Sequence, residues 1–339
     1  MPEPVYGRDE ARPEIWVYLE RKNGQLEGIS RELLAKGREL ADQAGWCLAG
    51  LLPGQGRAPA EEAIAHGADR IYWLDHPWLD RFDAGLCTAA VEHVILEHRP
   101  SVLLCGATPD GRDLAGRLAV RLRTGLNADC TNLSLDAERG ALISEVTGFG
   151  GGVIALLEIP EARPQISTVR PGVFRPGLPA EDRQGEVVRV YVELEESQRC
   201  VEVLEEHLGE SVDLTQAEVL LCGGRGVEGD FGMLRELADL LGGEVGATRP
   251  PVDEGFIERE RQVGQTGVVC RPKVAIACGI SGAFHFIVGI QEAGTILAIN
   301  SDPQAPIFEY ADYGAVGDAH QIIRALIREL KQEREGAHA

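Results

Sequence analysis

The chain has 339 residues, 44% of them hydrophobic, which is enough to bury two sizeable cores, yet no apolar run approaches the roughly 18 residues that span a membrane. Its 33 basic and 54 acidic residues leave a formal net charge of −21, which argues against a nucleic-acid partner and for a solvated acidic surface. Eight cysteines without a Cys-x-x-Cys pair argue against zinc or iron–sulfur ligation and for reduced packing residues, and a polar start from Met1 to Glu14 without a secretory pattern makes the cytoplasm the expected location.

In chain order, residues 14–19 read as a strand, 29–44 as a helix with apolar residues near a 3.6 spacing, and 47–52 and 70–74 as strands. A helix over 84–98, a strand over 102–106 and a helix over 114–122 follow. The helical period disappears from 132 to 169, where 141–146, 152–157 and 165–169 read as strands closing a domain. Residues 171–184 crowd prolines and glycines into a short break, 186–194 alternates as a strand, and the domain boundary is expected within 199–206, ahead of a short helix. Beyond it come strands at 219–222, 244–247, 273–278 and 296–299, with helices at 231–241, 283–291 and 319–332. Alternating strands and helices predict an α/β protein of two domains, 1–205 and 206–339, each a mostly parallel sheet with flanking helices. The two breaks predict a rigid-body swing of the second domain.

Four turns crowd the second domain: Gly246-Ala-Thr-Arg-Pro, Gln262-Val-Gly-Gln-Thr-Gly, Gly279-Ile-Ser-Gly-Ala and Ala298-Ile-Asn-Ser-Asp. Each joins glycines, which let backbone N–H groups approach a ligand, to hydroxyl, amide or guanidinium side chains that can fix it. Their succession predicts one cleft for a large anionic cofactor along the carboxyl ends of parallel strands. Gly224-Arg-Gly226-Val-Glu-Gly229 is a literal G-x-G-x-x-G, but the acidic residue expected about 20 positions on is replaced by Thr248-Arg249, which suits a phosphate or a flavin better than a ribose diol. No nucleophile–base pair, paired carboxylates or metal-ligand cluster stands out, so the chain reads as a mover of electrons rather than a maker of substrate bonds.

The order of these turns, continued by Ala298 to Gly314, resembles the alpha subunit of electron transfer flavoproteins. The resemblance implies a Rossmann-like, FAD-binding second domain, one FAD in this chain, and a beta-subunit partner packed on the first domain that carries a second FAD or AMP. The cofactor-binding residues it implies are Arg225, Thr248, Arg249, Gln262, Val263, Gly264, Gln265, Thr266, Ser281, Gly282, Ala283, His285, Phe286, Asn300, Asp318 and Ala319. Arg225, Thr248, Ser281 and Asp318 match positions near the pyrophosphate and ribityl chain, and Asn300 a position toward the adenosine. Arg249 matches the arginine against the isoalloxazine, and residues 263–266 the loop along its redox edge, where Thr266 could donate to the ring. For Thr248 and Asn300 alone, turn or cap duty remains the alternative.

One departure stands out. Where relatives place a glutamine and then a histidine toward the reduced ring, this chain has His285 and then Phe286. A one-residue shift turns a side chain by about 100° on a helix, so His285 is expected to face away and Phe286 to occupy the slot.

In the first domain, Arg112-Asp-Leu-Ala and Arg123-Thr-Gly-Leu-Asn-Ala-Asp-Cys-Thr131 resemble the signature of the electron-bifurcating and nitrogen-fixation-associated branch, although a tight connection into a strand is the alternative for 124–131. Gly148-Phe-Gly-Gly-Gly152 departs from that family's F-G-G-N at Gly152. The branch implies NADH as donor, a partner dehydrogenase or quinone oxidoreductase as acceptor, and ferredoxin or flavodoxin as low-potential partners. The alternatives are a housekeeping alpha subunit serving acyl-CoA dehydrogenases and, as an outsider, an NAD-dependent dehydrogenase.

Overall fold

A computed structural model of the chain describes residues 3–148, 153–180, 182–203 and 213–336. The chain divides into two compact units, Met1–Glu206 and His207–Ala339. The expected short helix after 199–206 and most of the Gly148–Gly152 loop lie outside the described residues.

The first unit is built on a seven-stranded sheet in the order Glu186–Val190, Arg70–Leu74, Cys47–Pro53, Arg12–Tyr18, Pro100–Gly106, Gln165–Val169, Leu126–Cys130, every neighbouring pair parallel. A parallel sheet needs apolar cover on both faces, and the strand residues supply it alternately. Trp16 and Tyr18 enter one cluster with Leu86, Val91 and Leu114, while Ile15 and Val17 enter another with Leu33 and Leu40. The covering helices begin at local signals. Asp83 accepts from Gly85 N and Leu86 N to open Ala84–His98, and Thr108 accepts from Gly111 N with Pro109 at the first position of Pro109–Arg121. That second start lies a full turn ahead of the expected 114. The helix Ala58–Ala65 was not anticipated, nor were the strands Leu126–Cys130 and Asn132–Asp136.

The segment expected to close this domain divides in two. Asn132–Asp136, Ala141–Gly148 and Val153–Leu157 form an antiparallel meander, whereas Gln165–Val169 lies inside the parallel sheet. The Pro- and Gly-rich stretch 171–184 does not act as a free joint. Gly172 N donates to both carboxylate oxygens of Glu32 at 3.1 and 2.9 Å, Ala180 N donates to Ala65 O at 2.8 Å, and Arg183 pairs with Asp69 at 2.7 Å. These contacts hold the stretch on the first unit. Farther on, Asp83, which caps a helix with one oxygen, accepts from Cys200 N at 2.8 Å and Val201 N at 2.9 Å with the other. Burial alone would raise its carboxyl, yet those four backbone donors hold it below the ordinary carboxylate range.

The second unit is a five-stranded sheet in the order Glu244–Ala247, Val219–Gly223, Val274–Cys278, Thr295–Asn300, Tyr313–Val316, again parallel throughout. Leu221 packs with Phe231, Leu234 and Ile323 on one face, where the helices Phe231–Leu241 and Ala319–Gly336 lie. Leu220 and Cys222 pack with Val263, Phe286 and Ile287 on the other. The helix expected over 283–291 is a single turn, Phe284–Ile287, and the edge strand Tyr313–Val316 was not anticipated. No helix among the described residues is long and apolar enough to cross a membrane.

Candidate functional site

In a doubly wound sheet the crevice for a ligand opens where successive connections leave on opposite sides. In the second unit that point falls between Val219–Gly223 and Val274–Cys278, and the loops leaving their carboxyl ends meet glycine to glycine. Gly224 N donates to Cys278 O at 2.9 Å and Gly226 N to Gly279 O at 3.0 Å. A Cβ on Gly224 would stand 2.3 Å from Gly279 O, and Gly279 itself has φ +61° with its Cβ position 2.6 Å from Gly226. The third glycine of the run, Gly229, has φ +80° and would meet the Phe256 ring at 2.7 Å. The G-x-G-x-x-G spacing is therefore explained by backbone contacts between loops and beneath Phe256, with no dinucleotide required.

The cleft above this crossing has a volume of about 510 Å³, within the usual range for cofactor sites. Arg225 lines it from the first loop and Thr248 and Arg249 from the end of the second strand. Gln262, Val263, Gly264 and Thr266 line it from the loop beyond, Ser281, Ala283, His285 and Phe286 from the third loop, and Asn300 from the end of the fourth strand. The structure thus brings twelve of the sixteen expected residues to one cavity. Gly224, Pro250, Gly279 and Ile280 complete the lining. Gly224 and Gly279 open two of the motifs already singled out, and Pro250 and Ile280 lie inside two of the four turns, so their place in those motifs is the available signal.

The four remaining residues lie elsewhere, each for a local reason. Asp318 accepts from Gln321 N at 2.9 Å to cap the last helix, and Ala319 is buried in the core beneath it. Gly282, at φ +92°, is held against the chain at Ile307, whose N–H donates to Ser281 O at 3.0 Å. Gln265 donates its backbone N–H to His285 O at 2.7 Å, and its side-chain Oε1 is buried with no partner. An acceptor left so costs about 1–3 kcal/mol.

The expectation for the His285–Phe286 pair holds in one half only: Phe286 lines the cleft, but His285 lines it too instead of turning away. Phe286 is 5% exposed and packs with Val263 and Ile287, while His285 is exposed and lines the cleft. The reason is the shortness of the turn: Phe286 N and Ile287 N both donate to Ala283 O, and Phe286 is drawn into the core.

The lining carries two guanidiniums and no carboxylate, in a chain of net charge −21. Arg225 is exposed and has no ion-pair partner among the described residues, whereas Arg249 pairs with Asp253 at 3.0 Å. Thr248 is 9% exposed and stands at the N-cap of Arg249–Asp253, yet its hydroxyl makes no capping bond, so cap duty does not account for it. Asn300 differs, because its side chain donates to Ile280 O at 2.7 Å and accepts from Asp302 N at 2.9 Å, which is turn duty beside the cleft. Free cationic charge, an uncommitted hydroxyl and close glycine backbone together fit a phosphorylated, largely planar cofactor such as FAD.

In the first unit, the 123–131 motif builds a charged corner. Asp129, at φ +58°, accepts from Arg170 at 2.7 and 3.2 Å and lies 3.8 Å from Arg112, while its N–H donates to Thr168. At the switch point of the same unit, Glu20 fills the crevice. Thr108 Oγ1 donates to it at 2.9 Å, and burial, reinforced by Asp110 and Glu27 against that bond, raises its carboxyl to about 7.

Comparison with known proteins agrees with this arrangement. Residues 15–195 match the electron transfer flavoprotein domain, and 213–291 match the electron transfer flavoprotein FAD-binding domain. The chain is 43% identical to an electron transfer flavoprotein subunit alpha of Thermoanaerobacterium thermosaccharolyticum, covering 94% of this chain and 98% of that one. It is 40% identical to the protein FixB of Clostridium saccharobutylicum, covering 94% and 96%. It is 37% identical to the acryloyl-CoA reductase electron transfer subunit beta of Anaerotignum propionicum, again covering 94% and 96%.

Proposed function

Because the chain belongs to the alpha-subunit family of electron transfer flavoproteins, we propose that its second unit holds one FAD in the cleft between Arg225, Thr248 and Ser281 and that it passes electrons between a beta subunit and an acceptor oxidoreductase. The observation that carries this reading is the cleft itself, cationic and glycine-walled, with all of its lining but Asn300 inside residues matched by the FAD-binding domain. When bound, the flavin supplies one- and two-electron transfer. The protein's own residues do the rest. Arg225, exposed and without an ion-pair partner among the described residues, would neutralise pyrophosphate charge, and Thr248 would offer it a hydroxyl. Arg249 would place positive charge beside the ring, favouring its negatively charged reduced form. Val263 and Phe286 close the floor with apolar surface and exclude water.

The partner follows from the same reading. A beta subunit packs on the first unit and holds a second FAD, and the pair bifurcates electrons from NADH toward a higher-potential acceptor and a ferredoxin or flavodoxin. The Arg112 to Thr131 motif and the FixB relative support this branch. The housekeeping reading, one flavin with AMP in the beta subunit and an acyl-CoA dehydrogenase as partner, keeps support from the relative named for acryloyl-CoA reductase. The test is the cofactor content of the co-purified pair. Two flavins per heterodimer supports bifurcation, one flavin with AMP supports the housekeeping carrier, and no flavin overturns both.

A further inference from the structure

Gln262 and Thr266 sit four residues apart in the loop that lines the cleft, and the structure joins them directly: Gln262 Nε2–H donates to Thr266 Oγ1 at 2.9 Å. A hydroxyl has one hydrogen and two lone pairs. With one lone pair taken by the amide, the hydrogen is turned toward some other partner, and among the described residues Thr266 has no acceptor for it. Thr266 is exposed and lines the cleft, so the hydroxyl meets a ligand there as a donor.

The stretch of loop that carries this amide is held in place. Gln262 is 8% exposed, its N–H donates to Arg259 O at 3.0 Å, and its carbonyl accepts from Val268 N at 2.7 Å. A Cβ at Gly267 would stand 2.2 Å from Gln262 O and 3.1 Å from its Cγ, so glycine there is what lets the loop close over the glutamine. A hydroxyl that already accepts a bond is also a stronger donor, because successive hydrogen bonds polarise one another.

We infer that Gln262 is a positioning residue: it acts through Thr266, locking that hydroxyl as a donor toward the cofactor and so favouring the cofactor's more negative, reduced form. This rests on the FAD reading of the cleft and adds a division of labour within it, in which Gln262 tunes the potential while Thr266 makes the contact.

The test is a double-mutant cycle on the FAD-loaded heterodimer, reading the midpoint potential of the cleft flavin by spectroelectrochemistry. Gln262→Met and Thr266→Val should each shift the potential downward, and the double variant should shift it no further than Thr266→Val alone. Additive shifts would show that Gln262 touches the cofactor itself and overturn the inference, as would an unchanged potential in Gln262→Met beside a lowered one in Thr266→Val. Should Gln262→Met fail to fold, Gln262→Glu replaces it. The carboxylate accepts the hydroxyl hydrogen and reverses the bond, so adding Thr266→Val must then leave the potential where Gln262→Glu put it; a further downward shift overturns the inference. The two levels separate cleanly: a wild-type heterodimer without FAD sinks the reading of the cleft and this inference with it, whereas bound FAD with an additive cycle sinks only the role given to Gln262.

Discussion

The two units present the same crevice in two conditions. Each is a parallel, doubly wound sheet whose connections part at one point, between Arg12–Tyr18 and Pro100–Gly106 in the first and between Val219–Gly223 and Val274–Cys278 in the second. In the first unit Glu20 occupies that point, bonded to Thr108 and so close to Gly106 that a Cβ there would be 2.5 Å from its Oε1. In the second, the chain withdraws every carboxylate and leaves glycine backbone, two arginines and a free hydroxyl around about 510 Å³. Topology supplies the crevice; a few side chains decide whether it is filled from within or kept for a cofactor.

The largest test of this contrast is Gly224→Ala. Its Cβ would collide with Gly279 O and with Ile280, so the crossing loops must part, at a cost of about 3 kcal/mol and with loss of FAD on purification. Gly116→Ala, inside the helix Pro109–Arg121 of the first unit, meets nothing within 4 Å and should leave FAD content unchanged while raising stability by about 0.5–1 kcal/mol. Equal behaviour of the two variants would erase the distinction drawn between the units.

Phe286→His comes next. Placing a ring with polar nitrogens at a 5% exposed position should cost about 2–3 kcal/mol in thermal unfolding, while His285→Ala, at an exposed one, should stay within about 0.5 kcal/mol and act on the flavin instead. A reversed ranking would restore the arrangement that the sequence alone suggests.

Glu20 gives the filled crevice a pH signature. Its carboxyl is raised from 4.5 to about 7, so the folded state binds the proton more tightly than the unfolded chain. The stabilisation is fully present below about 4.5 and is lost as pH rises through about 7, by roughly 3 kcal/mol. Urea titrations of the wild type and Glu20→Gln across that window should converge at low pH and separate at high pH, with the variant the more stable. A flat difference would mean that Glu20 is not the group that titrates.

The smallest effect belongs to Arg249→Ala. The side chain is 68% exposed and shares its charge with Asp253, so the cleft flavin should fall in potential by an amount equivalent to about 0.5–1 kcal/mol. A drop several times larger would mean that cofactor binding buries this guanidinium far more than the exposed ion pair suggests.

What the sequence disclosed was whatever rests on local chemistry. Helix 84–98 is announced by Asp83 and its apolar period, and the cofactor turns by glycines whose close approach no other residue permits. What it hid depends on distant partners. Nothing in Glu20 separates it from the other acidic residues until Thr108 and the covering helix reach it. His285 reaches the cleft beside Phe286 because a single turn forms where the pattern suggests a nine-residue helix. The stretch 171–184 has the composition of a joint, but Glu32, Ala65 and Asp69, more than a hundred residues earlier, fasten it.

One further property follows from the Asp83 clamp. Of eight free cysteines, Cys200 alone is exposed, and its backbone N–H is one of the four that Asp83 holds. Cys47 is half-buried and the other six are buried, with Cys270 and Cys278 pushed up to about 12 and Cys222 well above its ordinary value, so alkylating reagents reach them more slowly. A maleimide dye or spin label would therefore go to Cys200 without any engineered thiol, turning the place where the chain leaves the first unit into a reporter whose anisotropy rises or falls as the clamp closes or opens.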